Sequence, residues 1–237
     1  MTINLTQSDL LSIAHAHRND RDGGYDLAAA LCTYRTGMPR DRASEWDEVL
    51  LNWVQDESER PWGVALEALA RAGGPAVDER LSLMLREAGR SEEWREYVAN
   101  TLIRRGVRDD ELKSHVEQAA LRMTPMGLPN LAALLPARSE LLTSAASCIV
   151  EAMSNDRHDY VEANVPPFVY SARDHNPELL VQLVRETYSR DQTAGRRLGE
   201  MVADYLEKPW TERLFPNGVA ADLQERVRCP TRPDEEI

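Results

Sequence analysis

A chain of 237 residues that is 42% hydrophobic, 29% charged and 6% aromatic holds enough apolar material for a sizeable core, which excludes a disordered segment. Twenty-eight basic residues against forty acidic ones leave a net charge of −12, so the broad basic face that a phosphate backbone requires is missing and general nucleic-acid binding is not expected. The same charge disfavours an anionic membrane surface and favours a basic protein partner met by fast electrostatic encounter.

Alternating polar and apolar strand patterns are missing, and helical periodicity runs along the chain. Thr6 to Arg18 reads as a first helix, with Thr6 and Asp9 at capping-box spacing. Asn19-Asp20-Arg21-Asp22-Gly23-Gly24 is a loop, and Tyr25 to Thr36 is a second helix stopped by Gly37 and Pro39. Ser44 to about Glu57 is a third, with Ser44 as cap and Asp47 three residues on.

The middle of the chain carries two recurring patterns. Trp62, Ala65, Leu66, Leu69 and Ala70 fall at i, i+3, i+4, i+7 and i+8, and Trp94, Tyr97, Val98, Thr101 and Leu102 share that spacing. Each set predicts one apolar stripe on a helix. Val77, Leu81, Met84, Leu85 and Ala88 fall at i, i+4, i+7, i+8 and i+11; Leu112, Val116, Ala119, Ala120 and Met123 repeat this, as do Leu142, Ala146, Ile149, Val150 and Met153. Gly73-Gly74-Pro75, Gly89 and Gly106 stand where the stripes end, since glycine accepts the left-handed turn that closes a helix. Ser91 and Asp109 stand where N-caps belong, each followed by acids that suit the helix dipole. Helices of about fourteen residues therefore come in pairs repeating every 30–35 residues or so, the period of a helical solenoid.

Beyond this the pattern is irregular. Met126-Gly127-Leu128-Pro129 and Pro136 leave a short helix over Leu128 to Leu135, and Asn155 to Asn164 reads as loop or a short helix. Pro166-Pro167 is expected to open a helix through Phe168 and Tyr170, and Asn176-Pro177-Glu178 to open the next. Leu180, Val184, Thr187 and Tyr188 form its stripe; Leu198, Val202, Tyr205 and Leu206 form another, ended by Pro209. A last short helix is expected over Val219 to Arg228, and Thr231 to Ile237 is an acidic, proline-containing tail expected to fray.

From Ala65 to Met153 the paired amphipathic helices, the Leu and Ala stripes and the interhelical glycines resemble HEAT-like helical repeats. The segment Glu93-Trp94-Arg95-Glu96-Tyr97-Val98-Ala99-Asn100-Thr101-Leu102 is similar to the arginine-alanine-leucine pattern that opens many of them. The resemblance implies an all-α, right-handed α-solenoid of HEAT-like antiparallel helix pairs. It would run as one domain over 1–230, with irregular helices over 1–60, regular repeats over 61–155, further helices over 165–230 and a tail over 231–237. Tetratricopeptide-type and generic helical-bundle readings stay open beside it. HEAT-like proteins mostly bind other macromolecules along an extended surface. One branch, resembling small bacterial alkylpurine glycosylases, excises damaged bases in a basic groove with aromatic and acidic residues.

Catalytic signals are sparse. His15 and His17, two apart, diverge by about 200° on a helix and cannot share a metal from one face. His158 lies beside Asp159, and Asp174 beside His175; carboxylate next to imidazole suits acid–base work, but adjacent helical residues point apart and no nucleophile motif accompanies them. A phosphate-cradling glycine loop, GxSxG and HExxH are absent from the sequence. Cys32, Cys148 and Cys229 are widely spaced with no CxxC, which reads as isolated reduced thiols; with no leader at the start, a cytoplasmic protein without metal or other cofactor is expected. No apolar run reaches the eighteen or so residues of a membrane span, and no membrane association is expected.

Trp46 and Trp53, seven apart, share a helical face with Trp62 nearby, and are read as core or as aromatic anchors of an interface. Between Asp41 and Val98 fourteen acids face seven arginines. Glu45, Asp47 and Glu48, then Asp56, Glu57 and Glu59, then Glu92, Glu93 and Glu96, and finally Asp109 and Asp110 recur at helix ends or polar faces. In a solenoid such groups would align into a negative ridge. The leading expectation is therefore a non-enzymatic binding module for a basic protein partner, one form of which is a bacterial toxin-neutralising (immunity) protein. Two alternatives are a base-excision glycosylase, whose basic groove would begin at Arg104, Arg105 and Arg108, and a scaffold or assembly adaptor with exposed apolar surface.

Overall fold

The structure is a computed structural model that describes residues 40–57, 62–215 and 218–230. The helices expected over Thr6 to Arg18 and Tyr25 to Thr36, the pair His15 and His17, Cys32 and the tail from Thr231 to Ile237 lie outside the described residues. Among the described residues every regular element is helical, so the protein is all-α there. Two compact units meet in sequence between Val107 and Arg108, inside the stretch of most regular patterning.

The first unit holds α1 (Arg40–Gln55), α2 (Trp62–Ala72), α3 (Ala76–Leu85) and α4 (Glu92–Arg104). α1 begins four residues before the expected Ser44 cap, because Arg40, Arg42 and Ala43 are good helix formers and carry the helix through it. The stripes read from sequence form the core: Ala65, Leu66 and Leu69 of α2, Val77, Leu81 and Met84 of α3, and Trp94, Val98 and Leu102 of α4 are buried. Tyr97 departs from its stripe; it is 40% exposed and meets the Trp62 ring edge-on at 5.3 Å. α1 packs on α2 and α3, and α4 packs on α2 and α3. Ser91 Oγ accepts from the Trp94 N–H at 3.2 Å as the expected N-cap, and Gly89 and Gly106 take positive φ of 84° and 89° where helices end.

The second unit holds α5 (Asp110–Leu121), α6 (Gly127–Leu134), α7 (Leu142–Ser154), α8 (His158–His175), α9 (Glu178–Arg190), α10 (Gln192–Leu206) and α11 (Val219–Arg228), with short 3-10 turns at Leu135–Ala137, Ser139–Leu141 and Thr211–Arg213. Packing runs from each helix to the next and to the next but one, with one longer link between α7 and α10. Two prolines expected to open a helix instead lie inside α8, which also absorbs most of Asn155 to Asn164, the segment read as loop or a short helix. An interior proline costs about 3 kcal/mol. Burial of Tyr160, Val161, Val165, Phe168 and Val169, worth about 1.5–3 kcal/mol for each large side chain, outweighs it. No helix among the described residues is long and apolar enough to cross a membrane.

Candidate functional site

Four of the singled-out acids converge in the first unit. The C-terminal end of α1 and the residues just after it meet the N-terminal end of α4. The Trp94 indole N–H donates to the Val54 carbonyl at 2.8 Å, and Arg90 Nη1 donates to the Gln55 carbonyl at 2.6 Å. Both acceptors belong to the last turn of α1, whose carbonyls have no helical donors of their own. Glu57 closes the junction from the other side, its carboxylate accepting the Ser91 backbone N–H at 3.2 Å. Asp56 and Glu57 are thereby brought beside Glu92 and Glu93, which are exposed in the first turn of α4.

Beneath these carboxylates the arginines turn inward. Arg90, its side chain 15% exposed, lies 4.7 Å over the Trp94 ring and donates from Nε and Nη2 to Glu87. Arg95 Nη2 donates to the Glu87 carbonyl at 2.6 Å. Their donors serve the fold, while the acids above them face solvent. The sequence reading does not single out Glu87 or Arg90; Arg90 precedes the Ser91 cap, outside α4, so helical periodicity gives no signal for its contact with the Trp94 ring.

The remaining acids lie elsewhere. Asp47 is buried, and its Oδ2 accepts the Gly74 N–H at 3.1 Å beyond the end of α2. Glu96 is 2% exposed between Trp94 and Val98. This corrects the expectation for both: neither carboxylate reaches the surface. Glu48 is exposed on α1 and loosely paired with Arg80 of α3 at 3.4 Å. Glu45 lies in α1 with its side chain outside the described residues, and Glu59 is wholly outside them. In the second unit Asp109 is the expected N-cap, Oδ1 accepting from the Leu112 N–H at 2.7 Å. Asp110 beside it is exposed and bound by Arg138 at 2.5 Å; that guanidinium holds the Asp110 carboxyl below the usual carboxylate range.

The cations that would begin a basic groove are engaged in the structure. Arg104 grips Glu67 with both Nη atoms, at 2.5 and 3.1 Å, and Arg105 is nearly buried at the end of α2. Burial lowers the pKa of Arg108. Trp46 and Trp53 are buried, as core residues are. His158 Nε2 approaches Asp156 at 3.4 Å at an exposed helix start, and Asp174 is held by Arg173 at 2.5 Å. Among the described residues no group of three or more His, Cys, Asp or Glu is placed to hold a metal ion. No protein-family model, curated protein or solved structure matches this chain.

Proposed function

We propose that this chain is a non-enzymatic module that binds a basic protein partner through the carboxylates gathered where α1 ends and α4 begins. One observation carries the reading: Asp56, Glu57, Glu92 and Glu93 converge while Arg90 and Arg95 direct their donors to backbone carbonyls and Glu87. Such a patch accelerates encounter with a cationic partner and weakens as salt screens it. A toxin-neutralising inhibitor that occludes a basic cleft in the cytoplasm is one concrete form. For the scaffold, we infer HEAT-like antiparallel pairs stacked within each unit; in the second unit, packing of each helix on the next and the next but one supports this.

The test is affinity capture by the full chain from an extract of its own source cells, at low and high salt, beside Glu92→Lys/Glu93→Lys. A basic protein retained by the wild type at low salt and lost from the variant is expected. Equal retention by the variant, or capture indifferent to salt, would overturn the reading.

A further inference from the structure

We propose that the groove between α8 and α10 in the second unit takes a segment of a partner protein carrying two basic side chains about one helical turn apart. The observations lie apart from the first unit's carboxylates and do not rest on them.

The groove begins with Pro166-Pro167. Proline has no N–H, so the Ala163 carbonyl has a proline at both i+3 and i+4 and receives neither kind of short helical hydrogen bond. Ala163 is exposed and lines a groove of about 580 Å³. Asp159 and Glu162, three apart, stand on the α8 wall; Glu200 and Asp204, four apart, stand on the α10 wall. On a helix these spacings place the pairs about 4.5 and 6 Å apart along the axis. The floor is apolar, from Val165, Pro166, Met201 and the Tyr205 ring.

Among the described residues, the chain's own cations meet the α10 wall at long range and leave the α8 wall without an ion pair. Arg197 reaches Glu200 at 3.8 Å with both side chains more than half exposed, and Asp204 lies 3.9 Å from Arg228. Lys208 sits over the Tyr205 ring at 4.9 Å. Asp159 and Glu162 form no ion pair among the described residues. At one end of the groove, the Trp210 ring meets the Tyr205 ring edge-on at 5.1 Å. Tyr170 and Trp210 are each 40% exposed.

Carboxylates on two walls, an acceptor carbonyl between them and aromatic faces at one end are the groups that recognise guanidinium and ammonium. Exposed Trp and Tyr are the usual anchors of a protein interface. A second copy is a poor occupant, because a chain of net charge −12 repels itself.

Fluorescence anisotropy on the full chain tests this with a labelled, otherwise neutral helical peptide bearing two arginines at i and i+4, and a control peptide with citrulline at both positions. Asp159→Asn/Glu162→Gln is expected to weaken the arginine peptide about tenfold. Met201→Trp, which fills the floor without changing charge, is expected to do the same, and Glu92→Gln/Glu93→Gln to change it less than about twofold. Glu200→Gln/Asp204→Asn reads the opposite wall if the first variant fails to fold. The proposal is overturned if the wild type does not bind, if citrulline binds as well as arginine, or if the groove variants bind like the wild type. A loss confined to Glu92→Gln/Glu93→Gln would overturn it while leaving the first unit's patch in place.

Discussion

Arg105 binds Asp78 through a guanidinium that is almost wholly buried, and the same group donates to three backbone carbonyls: Leu69 at 2.6 Å, Gly73 at 3.0 Å and Gly74 at 2.8 Å. One side chain from the end of α4 thereby closes the end of α2 and fixes the first turn of α3. The planar fork matters, because it spreads its donors over three nitrogens, whereas an ammonium concentrates three on one. Arg105→Met is expected to destabilise the protein by about 2–3 kcal/mol, since the acceptors lose their donor in a partly buried place. Arg105→Lys should recover part of this. Urea denaturation measures both; a midpoint unchanged in Arg105→Met would show that water replaces the guanidinium at little cost.

Local rules account for what the sequence made legible. The Ser91 and Asp109 caps, the glycine stops at Gly89 and Gly106 and the stripes of α2, α3 and α5 each depend on residues within a turn or two of one another. Misread elements and sites turn on distant partners. Asp47 looks like a solvated helical acid until Gly74, 27 residues away, supplies its N–H. Pro166-Pro167 looks like a helix start until the burial of Phe168 and Val169 holds α8 together across it. Likewise, the end of α1 and the start of α4 are joined by the Ser91 to Glu57 and Arg90 to Gln55 hydrogen bonds, which link segments more than thirty residues apart.

The crossing of α9 and α10 leaves no room for a methyl group at one point. Asp191 alone connects the two helices and caps the second, its Oδ1 accepting from the Ala194 N–H at 2.7 Å. At Gly195 a Cβ would fall 2.5 Å from the Tyr188 backbone nitrogen. Alanine gains about 1 kcal/mol of helix propensity over glycine, but forcing backbones apart costs about 1–3 kcal/mol or more. Gly195→Ala should therefore lower the melting temperature. Gly63→Ala in α2, where a Cβ meets nothing within 4 Å, should raise it by contrast. Calorimetry on the two variants separates the effects, and a stabilised Gly195→Ala would refute the close crossing.

Thiol reactivity should divide by burial. Cys148 is buried in α7, and burial first, then the charges of Glu151 and Glu117, pushes its thiol up to about 11. Thiolate, the reactive form, is therefore scarce at pH 8. Cys229 is exposed beyond the end of α11. Brief iodoacetamide treatment of the native protein, read by peptide mass mapping, should label Cys229 and spare Cys148, and denaturant should make both react. Early labelling of Cys148 would mean that α7 opens locally on the timescale of the experiment.

Acid should weaken the clasp between α9 and α11. Arg226 grips Glu178 with both arms, Nη1 to Oε1 at 2.6 Å and Nη2 to Oε2 at 2.5 Å, and this guanidinium holds the Glu178 carboxyl below its ordinary value of 4.5. A carboxylate with a depressed folded-state pKa adds stability above its unfolded value, and the contribution vanishes as pH falls through the folded one. Glu178→Gln should therefore be less stable than the wild type at pH 7, by less than about 1 kcal/mol because the pair is partly exposed. The difference should begin to shrink below about pH 4.5 and close on further acidification. Glu67, held low by Arg104, should follow the same course in the first unit. Urea midpoints for the wild type and Glu178→Gln across this range decide the matter. A gap that stays constant with pH would mean that the residue contributes by packing and not by its charge.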